Sequence, residues 1–224
     1  MDEFVGKAED YPSLAEFFVR RIDPRKRALH RDERYVVSPA DGFLSEVELV
    51  REDCCTQVKD RSYPLSALLG EKIDFSAGWH VATVYLSPSN YHRFHYPFSG
   101  TVTRYRHEPG RLFPVNLFSA NRVDRLYVRN ERVIVEIESG GKSAYFVAVG
   151  ATFVGGIRME FVSLSRPAEK WIEARHPVSQ LDEMGRFEMG STIVLAFPAA
   201  MIDSVVGVRG KPVRLGDPLF RLKN

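Results

Sequence analysis

The stretch STIVLAF, residues 191–197, contains no charged residue and is rich in β-branched and other apolar side chains. Short runs of this kind, bounded by Gly, Pro, Asn or Asp, are typical of β-strands. Similar runs occur along most of the chain, namely YVVSPADGFLSEVELV (35–50), HVATVYLS (80–87), GTVTRYRH (100–107), DRLYVRNERVIVEIES (124–139), AYFVAVGATFVGGIRMEFVSLS (144–165) and VVGVRGKPVRLGDPLFRL (205–222). The sequence therefore predicts a mainly-β (β-rich α+β) fold, a compact barrel or sandwich of short strands. The segments around SPADG and GDPLF further suggest a duplicated β motif.

Few helices are expected. Ser13 is a candidate N-cap, and Glu16 three residues later completes a capping box. The pair predicts a short N-terminal helix that ends before Pro24. Its apolar positions follow helical spacing and are Leu14, Phe17, Phe18 and Ile22.

Length and charge narrow the class of protein. A chain of 224 residues fits one catalytic domain, residues 1–224. A net charge of +2 gives no general attraction to nucleic acid, and no nucleic-acid partner is expected. The longest uncharged stretch, Met189 to Ile202, is shorter than the roughly 20 residues that span a bilayer. No transmembrane helix is predicted, and the chain is expected in the cytoplasm.

Residues 1–34 form a basic, amphipathic segment. Its cations lie beside the apolar positions of the predicted helix and are Arg20, Arg21, Arg25, Lys26 and Arg27. This arrangement suits a helix that lies on an anionic membrane surface. It equally suits a helix that packs on the protein's own core with solvated arginines. The sequence leaves both interpretations open.

The tripeptide Gly190-Ser191-Thr192 carries the chemistry. Taken alone it is typical of a turn. Upstream, however, Asp41 lies in SPADG, and two histidines, His92 and His95, lie in YHRFHYP. Together these residues supply the nucleophile, the base and the third group of a Ser-His-Asp device, in which chain order is free.

At these motifs the chain resembles the phosphatidylserine decarboxylase family. The resemblance extends in order through FFVRRIDP (17–24), SPADG (38–42), YLSPSNYHRFHYP (85–97), PGRLFPVN (109–116), RNERV (129–133), VGATFVGGI (149–157) and GRFEMGST (185–192). One departure is Met189, where the family usually has leucine, a swap that conserves volume. The resemblance implies self-cleavage between Gly190 and Ser191, which turns Ser191 into a pyruvoyl cofactor. It implies a β chain, with 35–190 following the N-terminal segment, and an α chain, 191–224.

The resemblance also implies roles for single residues. Ser191 looks like the nucleophile of self-cleavage, His95 like its base, and Asp41 like the group that orients His95. His92 looks like the residue that handles protons during decarboxylation of phosphatidylserine to phosphatidylethanolamine and CO2. No external cofactor and no metal are expected. His92 lies three residues before His95, so in a strand the two face opposite sides, whereas in a helical turn they could share one face.

Contacts to substrate are less clearly marked. A lipid phosphate suits arginine forks and amide donors. The candidates are Arg111, Asn116, Arg129 and Arg132. The expected partners are phosphatidylserine and the cytoplasmic face of a membrane, which the protein would contact peripherally. The α and β chains are expected to stay associated, and a homodimer is left open.

Three alternatives remain at this stage. A pyruvoyl enzyme for a soluble amino acid would share every catalytic residue. A metal-dependent hydrolase would use Asp41, His92 and His95 as ligands and make Ser191 dispensable. A non-enzymatic membrane-binding module would use the basic segment alone and leave the serine motif unexplained.

Overall fold

The computed structural model describes residues 2–151, 156–164, 168–188 and 191–223. Within these ranges the α-helices are α1 (Leu14–Phe18), α2 (Leu65–Leu69), α3 (Leu117–Ala120) and α4 (Leu126–Arg129). The strands are β1 (Tyr35–Val37), β2 (Gly42–Val50), β3 (Cys55–Val58), β4 (Arg61–Tyr63), β5 (Trp79–Leu86), β6 (Arg93–His95), β7 (Gly100–Glu108), β8 (Arg132–Ser139), β9 (Lys142–Gly150), β10 (Ile157–Met159), β11 (Ala168–Val178), β12 (Glu183–Phe187), β13 (Ser191–Pro198), β14 (Ile202–Val205), β15 (Lys211–Val213) and β16 (Pro218–Leu222). The mainly-β prediction is confirmed.

The largest sheet has eight antiparallel strands in the order β11-β7-β8-β9-β13-β5-β2-β15. β13 lies at its centre and pairs with β5 on one side and with β9 on the other. Its side chains alternate between two buried clusters. Ile193 and Leu195 pack in the main core, whereas Val194 and Ala196 pack in a second core on the opposite face. Burial on both faces explains why residues 191–197 carry no charge.

Smaller sheets complete the fold. Two have three strands each, in the orders β10-β12-β6 and β1-β16-β14, and β3 pairs with β4. Phe94 of β6, Phe187 of β12 and Phe220 of β16 are buried in the main core together with side chains of the large sheet. The architecture is therefore sandwich-like around the main core. The large sheet stays open, with β11 and β15 at its edges among the described strands.

The two segments that suggested a duplicated motif lie side by side. SPADG (38–42) connects β1 to β2, and GDPLF (216–220) follows β15 and enters β16. β1 pairs with β16 and β2 pairs with β15, so both segments connect the large sheet with the same small sheet. Backbone hydrogen bonds also join them, from the Ser38 amide to the Asp217 carbonyl and from the Gly216 amide to the Ser38 carbonyl.

The N-terminal helix is shorter than predicted. Its N-cap is confirmed, because the Ser13 hydroxyl accepts from the Glu16 amide at 3.2 Å. The helix ends at Phe18, however, and does not continue towards Pro24. The backbone after it pairs with residues near the N-terminus, for example through the Val5 amide and the Arg21 carbonyl. Pairing with an extended segment replaces the helical hydrogen bonds.

Candidate functional site

Ser191 is the first residue of the central strand. It is completely buried, and its hydroxyl has no hydrogen-bond partner in the described part of the chain. It lies opposite Leu86 of β5 and Gly150 of β9. Directly paired residues project to the same face of a sheet. Leu86 belongs to the main core, so the Ser191 hydroxyl faces the side on which the main core lies.

His92 lies immediately before β6, and its carbonyl accepts from the amide of Phe187. The ring is completely buried against Phe18 of α1, with 3.8 Å between the ring centroids. Nδ1 lies 3.0 Å from the Asn90 carbonyl oxygen, whereas Nε2 has no partner among the described residues. Burial lowers the pKa of His92 to about 4, with a further lowering from the charge of Arg20. The ring is neutral at physiological pH.

Alternation along β6 relates His92 to Ser191. Successive side chains of a strand point to opposite faces. Phe94 packs in the main core, and His92 is in phase with it. His92 therefore faces the same core as the Ser191 hydroxyl. Both contribute a buried polar atom without a partner in the described ranges, namely Nε2 and Oγ.

His95 lies on the other face of β6. It is out of phase with Phe94, and its ring stacks on Tyr91, a member of a third buried cluster with Leu181 and Leu215. Nδ1 lies 2.7 Å from the Leu181 carbonyl, which accepts only, so Nδ1 carries the proton. Nε2 therefore accepts from the Tyr91 hydroxyl at 3.0 Å. Burial lowers the pKa of His95 as well.

Asp41 has a different partner from the one expected. Its two carboxylate oxygens accept from Arg27 at 2.8 and 2.9 Å, and one also accepts from the Leu215 amide at 2.8 Å. Both ring nitrogens of His95 are bonded elsewhere. The expected direct contact between Asp41 and His95 is therefore not formed. The buried Arg27 guanidinium requires a counter-ion, and Asp41 supplies it.

Not every predicted phosphate contact is accessible. Arg132 is buried and donates to the carbonyls of Leu68, Val128, Asn130 and Ala67. Its donors are occupied by backbone carbonyls, so Arg132 could bind a phosphate only by giving up these bonds, and its role as a phosphate ligand stays a prediction. Arg111, Asn116 and Arg129 are exposed. The Asn116 side chain accepts from the Ser119 amide and thereby caps α3.

Gly190, the other residue of the predicted cleavage site, lies outside the described residues, as do Met189 and residues 152–155 of VGATFVGGI. The structure therefore describes the site on the Ser191 side of that peptide bond.

Two features of the site were missed by sequence reasoning. Arg20 and Arg27 were counted as surface cations, but both are buried, and each binds a segment that carries a candidate catalytic residue. Tyr91, inside the YHRFHYP motif, binds His95. A tyrosine next to a histidine motif was a signal that could have found Tyr91. Nothing in the sequence separates Arg20 or Arg27 from the exposed arginines beside them.

Two of the cavities border the segment that precedes β6. One has a volume of about 460 Å³ and borders Tyr91, His95, Glu183 and Arg27. The other, of about 600 Å³, is more apolar and borders Phe43, Tyr85, Ser87 and Asn90. Tyr85 is the register partner of Thr192, the residue after Ser191. The second cavity therefore lies along the face of β13 opposite to the Ser191 hydroxyl.

The described residues offer no donor set for the metal-dependent hydrolase that was considered as an alternative. Across the described part of the chain, no three His, Cys, Asp or Glu side chains form a group that could hold a metal ion. Asp41, His92 and His95 in particular face different partners. Within the same ranges, none of the helices combines the length and the hydropathy that crossing a bilayer requires.

A mainly-β protein with a buried serine and a buried neutral histidine on one core has the groups of an enzyme that reacts at that serine. The comparisons identify the kind of enzyme. A family model for phosphatidylserine decarboxylase matches residues 14–221. A phosphatidylserine decarboxylase proenzyme of Anaeromyxobacter sp. (strain K) is 40% identical over 223 residues, covering 93% of this chain and 78% of the relative.

Two further relatives carry the same name. The proenzyme of Bordetella avium (strain 197N) is 37% identical over 93% of this chain and 75% of its own length. That of Brevibacillus brevis is 35% identical over 96% of this chain and 81% of its own length. The chain belongs to the phosphatidylserine decarboxylase family and is an enzyme of that family.

Proposed function

We propose that this enzyme converts phosphatidylserine to phosphatidylethanolamine and CO2, after cleaving its own chain between Gly190 and Ser191. The observation that carries the proposal is the Ser191 hydroxyl, completely buried and without a partner in the described ranges. Leaving a buried hydroxyl unpaired costs about 1–3 kcal/mol. A reaction at the Ser191 oxygen would explain why a serine occupies this position despite that cost.

Position 191 also fits the cofactor that the proposal requires. A pyruvoyl group made from Ser191 would supply an electron-withdrawing carbonyl that stabilises the negative charge left when CO2 departs. The group would stand at the first position of β13, a strand whose backbone is paired on both sides. The main-core side of the strand is closed to water, which suits a reactive carbonyl.

Self-cleavage needs a rearrangement and one water molecule. The Ser191 oxygen attacks the Gly190 carbonyl carbon while a base takes its proton, and the amide becomes an ester. A base then removes the Cα proton of residue 191, and elimination breaks the bond between Cβ and the ester oxygen, leaving a carboxylate on Gly190 and an unsaturated residue at 191. Water then replaces its nitrogen, which leaves as ammonia. We assign the base to His95 with Asp41 in support. His95 faces away from the main core, so it can accept this proton only after its ring is reoriented towards Ser191 and Nε2 is released from the Tyr91 hydroxyl.

His92 is assigned to the decarboxylation step. Its Nε2 carries no partner among the described groups, and His92 is in phase with Phe94 of the main core. Because the pKa of His92 is lowered to about 4, the ring is neutral before reaction. A neutral ring can take a proton from the substrate amine and return one to the carbon that has lost CO2. Both transfers require Nε2 to be free.

The two products of cleavage would remain together. The C-terminal product begins with β13, whose partners β5 and β9 both lie in the other chain. Its β15 and β16 pair with β2 and β1 of that chain as well. Separating the products would remove the central strand from the large sheet. We expect them to stay associated without a covalent bond.

Contact with the membrane is proposed to be peripheral. Arg21 and Arg25 are exposed and would attract anionic lipid, while Arg111 and Arg129 remain candidates for the lipid phosphate. Only the headgroup has to reach position 191, so the acyl chains can stay in the bilayer.

Intact-mass spectrometry tests the processing step. The purified protein should separate into residues 1–190 and a C-terminal fragment whose first residue carries pyruvoyl instead of serine. A protein that stays full length after prolonged incubation at neutral pH would contradict self-cleavage.

Release of labelled CO2 tests the substrate. Phosphatidylserine vesicles should react faster than free serine, because the lipid contributes binding energy from its phosphodiester and its anchorage. Faster release from a soluble amino acid would reject the phospholipid and leave the cofactor proposal standing.

A further inference from the structure

The basic N-terminal segment contains one arginine that is not at the surface. Arg20 is 5% exposed, and its guanidinium lies between the rings of Phe4 and Phe17, at 4.3 and 4.7 Å from their centroids. A buried cation enclosed by two aromatic faces is held in one place. Arg20 therefore cannot serve as a surface cation for lipid, as the membrane interpretation of this segment assumed.

The guanidinium reaches the turn that precedes His92. It donates to the carbonyls of Ser89 at 2.9 Å and Asn90 at 3.3 Å, as well as to that of Phe17. The turn is also tied internally, because the Asn90 side chain accepts from the amide and the hydroxyl of Ser87. Both ties fix the direction of the Asn90 carbonyl.

His92 shares that carbonyl. Its Nδ1 lies 3.0 Å from the oxygen that also receives the Arg20 bond. A carbonyl has two lone pairs and can only accept, so Nδ1 must carry the proton. The lone pair of the neutral ring is then on Nε2, the nitrogen without a partner in the described ranges. Phe18, two residues before Arg20, packs on the ring itself.

We propose that Arg20 is a positioning residue, which holds the Ser89-Asn90 turn so that His92 keeps its proton on Nδ1 and its lone pair on Nε2. Arg20 acts through the Asn90 carbonyl and does not touch substrate. The part of this inference that concerns turnover depends on the function proposed above, whereas the tautomer does not.

Nitrogen-15 NMR of histidine-labelled protein measures the tautomer directly. The protein has six histidines, and the His92 signals are those that disappear in His92→Asn. The wild type at neutral pH should show His92 protonated on Nδ1 alone. In Arg20→Gln the proton should be shared between Nδ1 and Nε2. Arg20→Lys retains the charge and should recover part of the wild-type pattern.

Lys26→Gln is the matched control, because it removes one positive charge from an exposed position of the same segment. It should leave the His92 signals unchanged. Self-cleavage should proceed in Arg20→Gln, while CO2 release from phosphatidylserine vesicles should fall at least about tenfold, since misplacing a proton-transfer group slows its step. An unchanged His92 tautomer in Arg20→Gln would overturn the proposal.

If Arg20→Gln does not unfold cooperatively, the variant is not properly folded, and Phe17→Leu then tests the role of Arg20. This change removes one of the two rings that enclose the guanidinium and should shift the tautomer less, in the same direction; unchanged His92 signals would again reject the role of Arg20. A wild-type protein that releases no CO2 from the vesicles would refute the proposed function. The NMR result on the same samples would still decide the tautomer.

Discussion

Two histidines lie in different surroundings at the short strand β6, His95 within the strand and His92 immediately before it. His92, on the main-core face, has one nitrogen bonded to backbone and one without a partner in the described ranges. His95, on the other face, has both nitrogens bonded, to Leu181 and to Tyr91. Both are buried and both have lowered pKa values. The difference lies in which lone pair is available, and burial alone does not set it.

The comparison indicates a division of labour. A ring with a free, buried nitrogen is ready to exchange protons with a group on its own core. A ring whose lone pair is bonded needs a partner to move first. This difference suits one histidine that acts on every substrate molecule and another that acts once in the life of the chain.

The largest effect is expected at the serine that both histidines are proposed to serve. Ser191→Ala should remain full length and release no CO2 above background, because it lacks the attacking oxygen. Thr192→Val is the matched control, since Thr192 is also buried with an unpartnered hydroxyl among the described residues but faces the second core. Intact mass and CO2 release distinguish the two. Loss of cleavage in both variants would show that the face of the strand does not matter.

Alanine substitutions of the two histidines should affect different steps, self-cleavage for His95 and decarboxylation for His92. His95→Ala should stay full length, because cleavage loses its base. His92→Ala should cleave but lose about 10²-fold or more in turnover, the usual contribution of general acid–base catalysis. Gel electrophoresis gives the first quantity and labelled CO2 the second. The reverse pattern, cleavage in His95→Ala and none in His92→Ala, would exchange the assignments.

Acid stability should sharpen the comparison at His92. Its pKa is about 4 in the folded protein and about 6.5 in an unfolded chain, so the unfolded chain binds the proton first as the pH falls. The free energy of unfolding therefore decreases as the pH falls from 6.5 towards 4, by about 2 kcal/mol between pH 7 and pH 5. Urea unfolding of wild type and His92→Asn at both pH values isolates this contribution, because the carboxylates are common to both. Equal losses would mean that His92 titrates normally.

The smallest effect is expected at the exposed cations of the same N-terminal segment. Arg21→Gln with Arg25→Gln should weaken binding to anionic vesicles by about 1 kcal/mol or less per charge, and less at high salt. Arg51 and Arg175, exposed elsewhere, provide the control pair when changed to glutamine. Vesicle sedimentation measures both. The same loss in the control pair would mean that total charge, not this segment, determines binding.

Much of the fold follows from local pattern. Residues 191–197 form a strand because β-branched and aromatic side chains suit an extended backbone, and their lack of charge matches burial on both faces. The Ser13 N-cap could also be predicted from the sequence, because capping depends on residues three apart. The end of α1 was not, since the segment after it pairs with residues near the N-terminus, which helical spacing does not encode.

The site divides in the same way. The sequence by itself determined the chemistry on offer, namely a serine in Gly-Ser-Thr, two histidines three residues apart and an aspartate in SPADG, together with the opposite facing that strand geometry imposes on the histidines. The tertiary structure alone decided which groups meet. Asp41 binds Arg27 and not His95, and Arg20 is buried against the turn before His92 while Arg21 stays exposed. A side chain's type is local, whereas its desolvation and its partners depend on segments far apart in the chain.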